Sequence, residues 1–215
     1  EPVADILDYE YFEGQENFSV TILAKTGESV VVDIEKDVDE TLGLVFEDKC
    51  YLTPRACRNK CIFCFVDQLP KGQRPTLYVK DDDWRLSFVS GNYVTLTNTT
   101  DAEIARIIDK KFSPLYISVH ATDDEVGKML LGNPKARPIM PLLKTLADGG
   151  ITMHTQVVMC PELNDGKVLE QTLNDLYSLY PAVKNLSIVP VGLTKHRACL
   201  HDLKQVSEQV AKDTI

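Results

Sequence analysis

Cys57, Cys61 and Cys64 stand in the stretch "CRNKCIFCF", residues 57–65, at spacings of four and three positions. The chain has six cysteines in all, and half of them fall within eight residues of one another. That is no disulfide framework; clustering of this kind in a reducing compartment reads as metal binding or redox chemistry. Thiolates are soft donors, and two centres suit them: tetrahedral zinc or an iron–sulfur cluster. Structural zinc is usually closed by two short-spaced ligand pairs, and no second pair is present, so zinc would have to recruit a histidine or Cys50. A 4Fe-4S cluster normally takes four cysteines. With three, one iron stays free of protein and open to a substrate or cofactor. The isolated Cys50, Cys160 and Cys199 read by default as small buried hydrophobes.

The elements that must position these thiols are legible in the rest of the chain. From Tyr93 onward strand and helix alternate. "YVTLTN" reads as a strand, and "TTDAEIARIIDKKF" as a helix whose Thr100 and Glu103 fit a capping box and whose Ile104, Ile107, Ile108 and Phe112 share a face. "PLYISVH", "ITMHTQVVM" and "KNLSIVPVG" read as further strands. "IMPLLKTLADGG" is a helix closed by Gly149 and Gly150, and "KVLEQTLNDLYSLY" is one with Leu169, Leu173, Leu176 and Tyr180 on one stripe. Repeated units of this length imply a parallel sheet with helices outside, because parallel neighbours need a crossover. The expected fold is therefore α/β, an open or closed barrel.

Parity along the strands separates the two faces. In "LYISVH" the apolar Leu115, Ile117 and Val119 pack under helices, while Tyr116, Ser118 and His120 face the interior. The corresponding set of the next strand holds His154 and Gln156. Sites in such sheets form at the carboxyl ends of strands, so Thr97, Asn98, Ser118, His120, Gln156 and the "CPELND" turn converge on one rim. The cysteine loop joins that rim if "KCYLTP" is the first barrel strand.

Residues 1–48 read differently. "NFSVTILAKTGESVVVDIEKD" is a β-hairpin turning at Thr26 to Glu28, "LGLVFE" a third short strand, and "EKDVDE" a solvated loop. At 215 residues and 44% hydrophobic content the chain can bury one large domain plus a small appendage. Its net charge of −9 is spread along the sequence without a basic run, which argues against nucleic acid or anionic lipid as partners. No stretch approaches the roughly 20 apolar residues of a membrane helix, and the acidic start lacks the features of a signal peptide, so a cytoplasmic protein is expected. Both ends fall within helical pattern, which suggests a fragment.

The spacing C-x3-C-x2-C, with Phe63 before the third cysteine and βα units after it, resembles the radical S-adenosylmethionine superfamily. More narrowly, "CIFCFVDQLPKG", "YVKDDDWRLSFVSGNYVTLTN", "SVHATD" and "MCPELNDG" resemble a family of uncharacterised iron–sulfur proteins. In that family a PDZ-like segment precedes a radical barrel and a further domain follows it. The resemblance implies three parts: an incomplete PDZ-like β module over 1–48, a partial (β/α) barrel over 49–195, and the start of a C-terminal domain over 196–215. The carboxylate-binding loop of the PDZ-like module would lie upstream of Glu1.

The resemblance also implies the chemistry. Cys57, Cys61 and Cys64 would ligate three irons of a 4Fe-4S cluster, and S-adenosylmethionine would chelate the fourth. One-electron reduction then cleaves the sulfonium C–S bond to give methionine and a 5′-deoxyadenosyl radical, which abstracts hydrogen from a small-molecule or peptide substrate. A flavodoxin or ferredoxin would supply the electron. Phe63 would lie near the adenine. Superfamily members commonly hold the cofactor's amino group with a Gly-Gly-Glu-Pro stretch that this chain lacks; Ser90, Gly91 and Asn92 of "VSGN" are the nearest substitute, with Thr97 and Asn98 as rivals. Ser118, His120 and Gln156 would touch ribose or substrate. His120 has an alternative role as a hydrogen-bonded structural residue. Asp81, Asp82 and Asp83 read as an exposed acidic turn or, alternatively, as supplying one carboxylate to the barrel. Cys160 is either a packed thiol or a hydrogen donor to a radical. A non-enzymatic iron–sulfur or zinc scaffold, or an electron carrier, is the competing functional class.

Overall fold

A computed structural model describes residues 2–44 and 52–214. The chain divides into two compact units, Glu1–Thr53 and Pro54–Ile215. The first is mixed rather than purely β. Helix α1 (Ile6–Glu13) starts at Asp5, whose carboxylate accepts from the Leu7 and Asp8 N–H groups, satisfying donors that an uncapped helix leaves open. Strands β1 (Asn17–Leu23) and β2 (Ser29–Glu35) pair antiparallel. Their turn is closed by the Ala24 N–H on the Glu28 carbonyl at 2.8 Å. Cross-strand pairs Phe18–Ile34, Val20–Val32 and Ile22–Val30 share one face. Half of "LGLVFE" lies outside the described residues, and its described part, 42–44, is not strand. Cys50 and the first half of "KCYLTP" also lie outside them, and 52–54 are irregular.

The second unit is α/β. Strands β3 (Leu115–Ser118), β4 (Met153–Met159) and β5 (Val183–Pro190) form a parallel sheet in that order. Helices α2 (Trp84–Ser90) and α3 (Asp101–Asp109) precede β3, and α4 (Asp124–Leu131) and α5 (Ile139–Asp148) connect β3 to β4. Helix α6 (Gly166–Tyr177) connects β4 to β5, and α7 (Glu208–Thr214) follows. The Thr100–Glu103 capping box forms as the residue types require. Leu115, Ile117 and Val119 are buried, whereas Tyr116 and Ser118 on the opposite parity are half-exposed. Full burial of side chains of this size contributes about 1.5–3 kcal/mol each.

Four expectations need correction. "YVTLTN" contributes only a bridge, Val94 beside Ile117. Beyond it Leu96 takes a left-handed φ of 60°, and Thr95 and Thr97 bond to Asp82 instead of a neighbouring strand. On α6 the buried stripe is Leu169, Thr172 and Leu176; Leu173 is 42% exposed, and Tyr180, beyond the helix end, is 67% exposed. Cys199 is exposed, while Cys160 is fully buried beside Phe63, Ala121 and Leu130. The aspartate run is not a solvated turn, because Asp82 and Asp83 are buried. Asp83 caps α2, accepting from the Arg85 N–H, and binds the Arg85 guanidinium at 2.6 Å. Burial favours its neutral form, but Arg85 and the N–H donors outweigh this and hold the carboxyl below its usual range.

Candidate functional site

The cysteine loop has little regular structure of its own, and its backbone is held by donors and acceptors from the surrounding fold. At its start Ala56 bridges Asp81 in antiparallel fashion, with the Cys57 N–H on the Lys80 carbonyl at 2.9 Å. Next, the Lys60 and Ile62 N–H groups donate to the Leu131 and Leu130 carbonyls at 2.9 and 3.0 Å. These are the carbonyls that α4 leaves unpaired at its carboxyl end. Gly132 follows with φ +55°, and a Cβ there would stand 2.2 Å from the Lys60 carbonyl oxygen. Only glycine permits this approach.

Two buried amides complete the support. Asn59, between the first two cysteines, donates to Thr95 Oγ1 at 2.8 Å. Its Oδ1 accepts from Thr97 Oγ1 at 3.1 Å and from Asn133 Nδ2 at 2.8 Å. Gln68, fully buried, donates Nε2 to the Phe63 and Cys64 carbonyls at 3.2 and 3.3 Å. Its Oε1 accepts from the Thr194 N–H at 3.1 Å, and Arg197 Nη2 donates to the Ile62 carbonyl at 3.2 Å. Successive carbonyls of the loop are thereby occupied, while the three thiols remain on a cavity wall.

That cavity has a volume of about 580 Å³ and is lined by Cys57, Cys61 and Cys64 together with Phe63, Asn92, Ser118, His120 and Gln156. Ser118 and Gln156 are register partners on adjacent strands. The remaining candidates stand elsewhere. Ser90 is the exposed last residue of α2, and Gly91 is its left-handed C-cap, facing the Tyr116 ring. Thr97 belongs to the Asn59 and Asp82 network. Asn98 Nδ2 donates to the Ala56 carbonyl at 2.9 Å. Lys80, Asp81 and Asp82 also line the cavity, and Asp81 accepts from Asn92 Nδ2 at 3.4 Å. Among the described residues, no group of three or more His, Cys, Asp or Glu side chains is gathered closely enough to hold a metal ion.

The electrostatics follow from burial. Burial pushes the Cys61 thiol up to about 12, with the neighbouring Cys57 and Cys64 adding to it. Cys57 is raised mainly by burial as well, against a hydrogen bond from the Asn59 backbone. For Lys80 burial opposes the charge, but the Asp67 carboxylate 2.8 Å away and the nearby thiols hold the ammonium above its usual value. His120 is 3% exposed, and burial lowers its imidazole to about 4. Its Nδ1 accepts from the Val158 N–H at 3.2 Å, so at neutral pH the ring is uncharged with its proton on Nε2. The Phe63 ring lies 4.5 Å from it. Asn164 ties the ends of β3 and β4 together, donating to the His120 and Val158 carbonyls at 2.8 and 3.0 Å.

Sequence reasoning passed over Asn59, Gln68 and Asn164 and took Asp82 only as one of three carboxylates in its run. Asn59 and Gln68 carried one signal, an uncharged amide inside or beside a cysteine motif. Asp82 was hidden in an acidic run, and Asn164 in a polar turn.

A family model described as the radical SAM-like domain matches residues 36–186. None of the curated proteins matches the chain. Among solved structures, the crystal structure of Streptococcus suis SuiB is similar at 12% identity and a TM-score of 0.48, over 74% of this chain and 43% of that one. By the family match across most of its length, the chain belongs to the radical SAM-like domain family.

Proposed function

We propose that the chain is a radical S-adenosylmethionine enzyme in which Cys57, Cys61 and Cys64 each hold one iron of a 4Fe-4S cluster. The observation that chiefly supports this is the shared cavity: all three thiols line it together with Phe63, Ser118, His120 and Gln156, within the family-matched residues. A mononuclear metal draws its ligands to one point, whereas a cluster takes thiolates at separate irons. All three cysteines line the one cavity, and three thiolates there suit the second arrangement. When bound, the cluster and S-adenosylmethionine supply reductive cleavage of the C–S bond and a 5′-deoxyadenosyl radical. The chain's own residues bind, orient and shield. A primary carbon radical attacks whatever lies nearest, so the cavity must hold the substrate in contact and keep other C–H bonds away.

In this reading Phe63, fixed against His120, is a wall for the adenine. Ser118 and Gln156 supply hydroxyl and amide groups to ribose or substrate. His120 acts as a neutral hydrogen-bonding group, since burial keeps it uncharged. Of the "VSGN" set Asn92 lines the cavity, and with Asp81 it is the candidate for the cofactor's amino group; Ser90, Gly91, Thr97 and Asn98 serve as support. The buried Cys160 is a packing thiol. The finer organisation belongs to the same proposal: a partial barrel, a PDZ-like segment before it, and a further domain beginning near 196. So do a small-molecule or peptide substrate, a flavodoxin or ferredoxin as donor, and a cytoplasmic setting.

Anaerobic reconstitution is expected to load one 4Fe-4S cluster per chain. The reduced protein should then release 5′-deoxyadenosine from S-adenosylmethionine. A fully loaded cluster that yields no such product would sink the proposal, as would stoichiometric zinc without iron or sulfide after anaerobic isolation.

A further inference from the structure

Asp82 stands apart from Asp83, the other buried carboxylate among the described residues of the second unit. Its side chain is 2% exposed, and the groups that satisfy it are all uncharged. Oδ1 accepts from the Thr95 N–H at 2.5 Å, and Oδ2 accepts from Thr95 Oγ1 at 2.8 Å and the Asn98 N–H at 3.4 Å, while the one Thr97 hydroxyl proton is shared between Asp82 Oδ2 at 3.0 Å and Asn59 Oδ1 at 3.1 Å. Among the described residues no lysine, arginine or histidine pairs with it. Its neighbours differ: Asp83 is neutralised by Arg85 at 2.6 Å, and Asp67 by Lys80 at 2.8 Å.

Asp82 thus sits in a buried place satisfied only by uncharged N–H and O–H donors, a costly position for a carboxylate when no cation offsets it. It lies close to the thiols. Its own N–H donates to the Arg55 carbonyl at 3.2 Å, two residues before Cys57. Through Thr95 Oγ1 it reaches Asn59, between Cys57 and Cys61. Asp82 and the three cysteines line the same cavity, whose cationic Lys80 is already paired with Asp67.

We infer that Asp82 is a positioning residue that also acts through its charge, and that this fixed negative charge lowers the reduction potential of the group held by Cys57, Cys61 and Cys64. This rests on the function proposed above. Adding an electron to a centre beside an uncompensated anion is opposed by repulsion, which the burial of Asp82 leaves weakly screened. The same charge, tethered through Thr95 and Thr97, keeps Asn59 in place.

The test is a redox titration of the anaerobically reconstituted protein, followed by electron paramagnetic resonance. One electron passes from dithionite to the cluster, and no bond forms or breaks. Asp82→Asn is expected to raise the midpoint by at least a tenfold change in the one-electron equilibrium, about 59 mV. Thr97→Val breaks the same network but leaves the charge with one donor fewer, and is expected to move the midpoint down. Opposite signs from two variants of one network distinguish a charge from a mere scaffold. An unmoved midpoint in Asp82→Asn, or shifts of the same sign in both variants, overturns the inference while leaving the enzyme reading intact. If Asp82→Asn retains no cluster, Thr97→Val decides, and a midpoint that does not fall overturns it. A wild-type protein that holds no cluster overturns both.

Discussion

The β1–β2 hairpin and the β3–β4–β5 sheet are written in similar residues and end in opposite environments. Val30, Val31 and Ile22 of the hairpin are 54%, 63% and 50% exposed, whereas Ile117, Met153 and Val157 of the sheet are fully buried. The hairpin's described bonds are largely its own ladder. The sheet carries Leu169 of α6 against Val157 and Met159, and the carboxyl ends of its strands meet a loop held from several sides. Strand propensity decides that a segment is extended; covering elements decide what that extension contributes.

Glycine offers the sharpest way to break this contrast. Gly132→Ala combines a left-handed φ with a collision against the Lys60 backbone, and is expected to cost about 4 kcal/mol and to strip iron from the cysteine loop. Gly27→Ala in the hairpin turn has the same sign of φ but open space around it, and should cost about 1 kcal/mol with iron content unchanged. Urea titration with iron and sulfide assay checks both; equal losses would show that the loop does not depend on the end of α4.

Core truncation comes next. Ile117→Ala should lose about 3.5 kcal/mol through transfer and cavity contributions, while Val31→Ala should stay within about 0.5 kcal/mol. The linked observable is pH. His120 folds with its value lowered from 6.5 to about 4, so the native state binds fewer protons than the unfolded chain. Its contribution is therefore present above pH 6.5 and lost as pH falls toward 4, about 3 kcal/mol in total. Unfolding free energies across that window should show this slope, and His120→Asn, which tolerates the left-handed φ of 64° there, should flatten it. The smallest effects are at the caps and edges. Thr100→Ala should cost about 1 kcal/mol, whereas Thr21→Ala on the exposed hairpin should be nearly silent by the same denaturation assay.

Local signals were read correctly where their partners are near in sequence. The capping box joins residues three apart, and the alternation in "LYISVH" reports burial because neighbouring side chains point to opposite faces. The failures share another cause. "YVTLTN" has strand composition, yet its hydroxyls found Asp82, thirteen and fifteen residues upstream, and gave up the ladder for it. The acidic run looked solvated because composition counts charges without their partners, and Arg85, Thr95 and Thr97 are what bury it.

By itself the sequence determined the α/β alternation, the three-thiol loop and the face of the sheet on which polar residues stand. Helical periodicity, strand parity and ligand spacing are properties of neighbours along the chain. Only the tertiary structure decided which polar groups serve the loop. Gln68 meets Thr194 across 126 residues, and Asn59 meets Asn133 across 74. A buried amide takes whichever donor the packed fold delivers, because leaving it unpaired costs more than any local preference can return.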